Sequence, residues 1–275
     1  MTSSASLVRG AQAPTRAVAL VTGASSGIGL EMARLLAAER RSLLLVSRDQ
    51  GKLDGIAQAL VAEHGVSVDV LAIDLAEPGA ASRVAAFATQ RGLQVDLLIN
   101  NAGIGIYGEH TELDRAQLDG MLQLNIRALT ELCLLFGAQM KQRGSGRILN
   151  IASTAAYQPT PFMAAYGASK AYVLNFSEAL AMELRDDGVT VSCLSPGPTD
   201  TAFFGAIDQK GPAPNDHFRK EVRDTAREVA AIGLETVRSG KLSHIVGVKN
   251  YLRAWSGRLV SRAMVANFAK GVMAD

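Results

Sequence analysis

The sequence predicts an α/β chain: one domain built on a doubly wound parallel sheet with helices on both faces. Three observations predict it. Short apolar runs alternate with longer helical patterns from residue 17 to residue 194, the order that produces βαβ crossovers. A glycine-rich turn, Thr22-Gly23-Ala24-Ser25-Ser26-Gly27-Ile28-Gly29, joins the first strand to the first helix. The chemically suggestive residues fall at or just after strand C-termini, where open α/β sheets bind ligands.

The elements follow in order. Residues 17–21 are a continuous apolar run, as expected of a buried parallel strand. Beyond the turn, Ile28, Met32, Leu35 and Leu36 recur at helical spacing. Strand 42–46 precedes helix 52–63, and strand 66–73 precedes helix 78–91. Strand 96–99 leads into a long helix at 113–142, strand 147–151 into a helix at 164–186, and strand 190–194 closes the series. The alternation then stops. Ser195-Pro196-Gly197-Pro198-Thr199 and Gly211-Pro212-Ala213-Pro214 are turn-rich breaks, with helical patterns at 201–207 and 216–239. The segment 201–217 has the punctuation and length of a mobile lid. In the tail, 249–274, Leu252, Trp255, Leu259, Val260, Met264, Phe268 and Met273 stand beside Arg253, Arg258, Arg262 and Lys270. That pattern is a basic amphipathic helix. Packing on its own domain or on a partner subunit is the expectation, and a peripheral membrane contact is the alternative. The chain thus divides into a disordered leader (1–16), a catalytic domain (17–248) and a C-terminal amphipathic extension (249–275).

Composition narrows the classes. A length of 275 residues suffices for one large core. Hydrophobic residues at 48% and charged residues at 20% are ordinary for a globular protein. A net charge of +2 argues against a nucleic-acid partner. No uninterrupted apolar run approaches the ~20 residues of a bilayer span. The leader carries Arg9 and Arg16 among small polar residues without a hydrophobic stretch, so it is not read as a secretory signal; an organelle transit peptide is the minor alternative. Cys133 and Cys193 lie far apart in apolar stretches, which suits reduced thiols and a cytoplasmic location. His64, His110, His217 and His244 are scattered without ligand spacing, so no metal site is expected.

The chemistry centres on Tyr166 and Lys170, four residues apart in Tyr166-Gly167-Ala168-Ser169-Lys170. Residues i and i+4 share a helix face. A free phenol titrates near ~10 and is a poor base at neutral pH. An adjacent ammonium favours the phenolate, which makes the tyrosine a usable acid/base for a carbonyl/alcohol pair. Ser153 lies thirteen positions upstream, and Asn125 further back. Asparagine is a poor helix residue, and such a choice inside a helix often marks a functional site. The glycine-rich turn lets bare backbone approach a pyrophosphate, with a helix N-terminus behind it. Its spacing, G-x3-G-x-G, differs from the commoner G-x-G-x-x-G.

Taken together, these residues resemble the classical short-chain dehydrogenase/reductase (SDR) family. The resemblance runs from Val18 to about Thr201 and rests on the glycine-rich turn, Asp74, Asn100-Asn101-Ala102-Gly103, Asn125, Ser153, Tyr166, Lys170 and Pro196-Gly197. It implies a Rossmann-type fold and roles for each position. Tyr166 is the general acid/base. Lys170 lowers its pKa and holds the nicotinamide ribose, Ser153 bonds the substrate oxygen, and Asn125 positions a relay water. Gly23, Ser25, Ser26, Gly27, Ile28 and Gly29 cradle the dinucleotide. Asp74 meets the adenine with Leu75 supplying backbone contact, and Asn101, Ala102 and Gly103 line the adenine side. Pro196, Gly197, Thr199 and Thr201 flank the nicotinamide. A homodimer or homotetramer through the two long helices is implied in the same way.

The second strand discriminates between cofactors. An acidic residue at its end would bond a ribose 2′-hydroxyl, but Ser47 stands there and Arg48 follows. Serine leaves room and a guanidinium pairs with phosphate, so NADP (NADPH) is expected, with Asp49 one residue further on. The function expected is an NADP(H)-dependent oxidoreductase interconverting a carbonyl and a secondary alcohol. Phe162, Met163, Phe203 and Phe204 suggest a hydrophobic substrate, and Tyr157 is a candidate pocket residue. A 3-oxoacyl-thioester reductase and a non-catalytic NADP-binding scaffold are the alternatives.

Overall fold

The computed structural model describes residues 15–201, 224–257 and 259–273. Nearly the whole expected leader, and the segment 202–223 with Phe203, Phe204 and most of the expected lid, lie outside the described residues. The helical pattern at 201–207 lies there too, Thr201 excepted, as does the start of the one at 216–239.

Seven parallel strands form the main sheet: β1 (Arg16–Thr22), β2 (Leu43–Ser47), β3 (Val68–Ala72), β4 (Leu93–Asn100), β5 (Gly146–Ile151), β6 (Val189–Ser195) and β9 (Ser243–Ile245). Their order is β3-β2-β1-β4-β5-β6-β9. The chain winds outward from β1 to β3, then crosses back to β4 on the other side of β1. That reversal opens a crevice at the carboxyl ends of β1 and β4. A two-stranded ladder of β7 (Thr199–Asp200) and β8 (Asp224–Thr225) stands apart. β9 was not foreseen in the sequence. It is three residues long and becomes a strand through its register with Cys193, Leu194 and Ser195.

Strand side chains alternate between two cores, which is why the strands read as solid apolar runs. Val18, Leu20, Leu44, Val46, Leu98 and Ile148 face one core with α3 (Ala80–Gln90), α5 (Leu129–Arg143) and α6 (Ala164–Leu184). Ala19, Val21, Leu43, Leu45, Ile99 and Leu149 face the other with α1 (Gly27–Ala38), α2 (Gln50–His64) and α7 (Ala226–Arg238). Helices therefore cover both faces. α7 begins on a capping box between Thr225 and Glu228.

The long helix expected at 113–142 is composite. α4 (Arg115–Leu122) passes into a π-helical turn, Gln123–Ala128, before α5. By length and composition, Arg115–Arg143 could cross a membrane. In this fold its apolar face, Leu129, Leu132, Cys133, Phe136 and Met140, is buried against the sheet. The tail expected as one helix is two, α8 (Val248–Ser256) and α9 (Arg262–Met273), separated around Gly257.

A polar pin crosses the apolar core beneath α6. Asn150, fully buried in β5, donates to Ser177 Oγ of α6 at 2.9 Å and accepts from Asn100 Nδ2 of β4 at 2.9 Å. Buried polar groups left without partners carry the full desolvation penalty. Asn150→Ala removes this bond from both neighbours at once, leaving Ser177 its bond to the Val173 carbonyl and the Asn100 amide nitrogen its bond to Cys133 Sγ. A loss of about 2–4 kcal/mol is expected in urea unfolding; a loss below about 0.5 kcal/mol would mean that the pin does not hold α6.

Candidate active site

A cleft of about 1020 Å³ runs along the carboxyl ends of the strands. The glycine-rich turn forms one wall. Gly23 and Gly27 have φ of +65° and +55°, a region that side chains rarely adopt. A Cβ on Gly23 would stand 2.8 Å from Asn101 Nδ2, and one on Gly27 3.0 Å from Thr201 Cγ2. Gly29 does not line the cleft. A Cβ there would be 2.5 Å from both Gly23 O and Asn101 Nδ2, so a side chain at this position would push α1 off the turn. Ser26 is the N-cap of α1, yet its side chain makes no capping bond and the first turn holds no acidic residue. The N-terminal amides of α1 are left open to an anion.

Across the crevice, β1 and β4 are locked together. Thr22 Oγ1 donates to the Ile99 carbonyl and accepts from the amides of Asn101 and Ala102, each at 3.0 Å. Asn101 Nδ2 returns bonds to the carbonyls of Thr22 and Gly23. Asn101, Ala102 and Gly103 line the cleft beside Asp74 and the buried Leu75. Asp74 also steadies its own turn by accepting from the Ala76 amide at 2.9 Å.

At the end of β2, Ser47, Arg48 and Asp49 all line the cleft. The Ser47 hydroxyl is buried without a partner. A buried, unsatisfied hydroxyl facing a cleft fits a ligand that supplies the missing bond. Arg48 is exposed, and among the described residues none pairs with its guanidinium. Asp49 is occupied as the N-cap of α2, accepting from the Lys52 amide at 3.0 Å. That bond, aided by the Lys52 charge, holds its carboxyl below the usual range.

Ser153, Tyr166 and Lys170 meet at the other end of the cleft. Ser153 follows β5 and caps the short 3-10 turn Thr154–Tyr157, accepting from the Ala155 amide. Its hydroxyl also hydrogen-bonds the Tyr166 phenol. One turn along α6, Lys170 Nζ donates to the Ile151 carbonyl at 3.0 Å and lies 5.9 Å from the Tyr166 ring centroid. The expected lowering of the tyrosine pKa is not what this geometry gives. Burial pushes the Tyr166 phenol up to about 12, against the bond with Ser153, which acts to lower it. Burial likewise draws Lys170 down to about 8. Enclosure works against either charge.

Asn125 is buried and does not line the cleft. It sits in the π-helical turn, a feature frequent at functional sites. Its side chain accepts from the Ile104 amide at 3.0 Å and donates to the Ile104 carbonyl at 2.9 Å and to Ser169 Oγ at 3.1 Å. The side-chain amide is thus committed to bracing the loop after β4, which carries Gly103, against the helix that carries Tyr166. Pro196, Gly197, Thr199 and Thr201 line the cleft as expected. Tyr157 does not; its hydroxyl lies 3.4 Å from Ser195 Oγ.

The sequence reading missed the distal wall. Phe268, Ala269, Val272 and Met273 of α9 line the cleft with Arg253 of α8, opposite Ile104 and Met163. Tyr107 donates to the Met273 carbonyl at 2.5 Å and stacks on Phe162. The signal was present as a second apolar stripe in the tail, Val265, Ala269, Val272 and Met273, offset from Met264 and Phe268.

Residues 17–211 match the family model described as short chain dehydrogenase. The chain belongs to the short-chain dehydrogenase family. A very-long-chain 3-oxoacyl-CoA reductase of Pyrenophora tritici-repentis is 37% identical over 189 residues, which are 67% of this chain and 55% of that protein. The chain therefore spans about half the length of that curated relative. A short-chain dehydrogenase from Sphingobium yanoikuyae, solved in complex with NADPH, superposes with a TM-score of 0.78 at 31% identity, covering 89% of this chain and 93% of that one. The bulky-bulky ketone specific alcohol dehydrogenase of Comamonas testosteroni superposes at 0.73 with 28% identity, over 90% and 93%. Short-chain dehydrogenases bind a nicotinamide dinucleotide, and the open α1 terminus, the glycine cradle and the orphaned Ser47 hydroxyl fit one.

Proposed function

We propose that this short-chain dehydrogenase is an NADP(H)-dependent oxidoreductase that interconverts a hydrophobic carbonyl compound and its secondary alcohol, working in the reducing direction. The observation that carries it is the meeting of Ser153, Tyr166 and Lys170 at one end of the cleft, with Lys170 Nζ 5.9 Å from the Tyr166 ring centroid. Ser47 and Arg48 would hold the 2′-phosphate. The amides of α1 and the turn from Gly23 to Ile28 would hold the pyrophosphate. Gly103, Pro196, Gly197, Thr199 and Thr201 would bound the nicotinamide end. When bound, the reduced nicotinamide supplies the hydride. The protein's own work is done at the substrate oxygen. Ser153 orients that oxygen, and the Tyr166 phenol passes its proton to it as negative charge develops. Lys170 steadies the phenolate left behind.

A 3-oxoacyl thioester is a second reading of the substrate. It is favoured by the name of the fungal relative and by a cleft roomy enough for a long chain beside the cofactor. The complete Ser153, Tyr166 and Lys170 set speaks against a non-catalytic scaffold. We further propose a cytoplasmic homo-oligomer, supported by Leu134 of α5 and Tyr172 and Met182 of α6, which are exposed apolar side chains on the two long helices.

Fluorescence titration with NADPH and NADH tests the cofactor. NADPH should bind more tightly, and Arg48→Ala should weaken it about tenfold or more while leaving NADH unchanged. Tighter NADH binding that ignores Arg48 would reject the assignment.

The direction of the Tyr166 shift sets the pH dependence. Reduction uses the neutral phenol, which persists well above neutral pH. Alcohol oxidation uses the phenolate, which is scarce below about 12. The kcat/KM for oxidation should therefore rise through pH 9 at up to about tenfold per unit, while that for reduction shows no loss from the phenol below pH 9. An oxidation plateau reached below pH 8 would show that the phenol is not held neutral.

A further inference from the structure

The C-terminal helices leave an apolar face uncovered. Val248, Tyr251, Leu252 and Trp255 of α8 follow i, i+3, i+4, i+7 spacing, the signature of one helical stripe. That stripe points outward: Val248 is 76% exposed and Trp255 50%. Leu259, Val260 and Met264 continue it, and it reaches Phe268, 72% exposed on the outside of α9 and also at the lip of the cleft. Stripes of this kind normally face a core.

Charge identifies what covers it. Neither α8 nor α9 contains an acidic residue, while Lys249, Arg253, Arg262 and Lys270 lie along them. Between Glu235 and Asp275 the sequence has seven Lys or Arg and no Asp or Glu, in a chain whose net charge is only +2. Among the described residues none pairs with Lys249, Arg262 or Lys270. A second copy of the chain would bring this basic surface against itself in a two-fold contact, where like charges oppose association. A basic, aromatic-bearing amphipathic surface suits an anionic lipid interface, which accepts the apolar face into the headgroup boundary and the cations among its phosphates.

We propose that α8 and α9 dock on an anionic phospholipid bilayer, with Trp255, Leu252 and Phe268 entering the interface. The docking surface and the distal wall of the cleft then belong to one helix pair and meet at Phe268. Docking is a binding property of the surface and does not depend on turnover or on the cofactor chosen.

The test is flotation of the full chain with vesicles of phosphatidylcholine carrying phosphatidylserine at about 30 mol %, beside vesicles of phosphatidylcholine alone. Wild type should float with the anionic vesicles, bind the neutral ones weakly and release as salt is raised. L252E/W255E should bind at least about tenfold more weakly, with a melting curve matching wild type. Should that variant unfold, K249E/K270E gives the same reading on the charge side. Wild type that ignores anionic vesicles overturns the proposal, and so do variants that float as well as wild type. A dimer that dissociates in L252E/W255E without any vesicle binding also overturns it, and assigns the face to a second copy.

Discussion

Lys170 is a cation enclosed by protein, and its bond to the Ile151 carbonyl anchors α6 at the carboxyl end of β5. The site depends on that bond. It fixes how far α6 advances over the sheet, and therefore where the Tyr166 phenol meets Ser153, which hangs from the end of the same strand. Burial is the counterweight. An enclosed ammonium and an enclosed phenolate are both costly, so the pair rests as a neutral phenol beside a lysine drawn down to about 8. In that state the phenol still holds the proton that reduction of a carbonyl requires.

The surrounding fold holds these few atoms still. Asn150 joins β5 to Ser177 of α6 from below, and Asn125 joins Ile104 to Ser169 of α6 from the side. Thr22 and Asn101 close the crevice from the opposite flank by tying β1 to β4. Thr22, Asn125, Asn150, Ser169 and Ser177 are buried polar groups with their side chains committed to bonds, a costly device unless it fixes geometry. Close packing completes the frame: Gly29 lets α1 press against Gly23, and the pressed turn leaves its amides facing the cleft.

Much of this was legible in the sequence because periodicity carries it. Solid apolar strands between amphipathic helices gave a sheet buried on both faces, and the Tyr166 and Lys170 spacing put both on one side of α6. Asn125 announced itself as a misfit in a helix, although its side chain turned out to brace backbone rather than face the cleft. Other features have no local signature. β9 is three residues whose strand character comes from β6. The direction of the Tyr166 shift depends on how deeply the phenol is enclosed, which adjacency in sequence does not reveal. In the tail, two apolar stripes of different destination merged into one pattern. One lines the cleft, the other remains outside, and on α9 only their angular offset around the helix separates them.

The central claim is that the Tyr166 phenol carries the proton and is dispensable for holding the cofactor. Replacing Tyr166 by Phe and measuring NADPH binding and ketone reduction on the same preparation tests it most directly. The account predicts NADPH affinity within about threefold of wild type and reduction slowed by about a hundredfold or more. Reduction at near wild-type rate with NADPH bound would contradict it, and would place the proton donor elsewhere in the cleft.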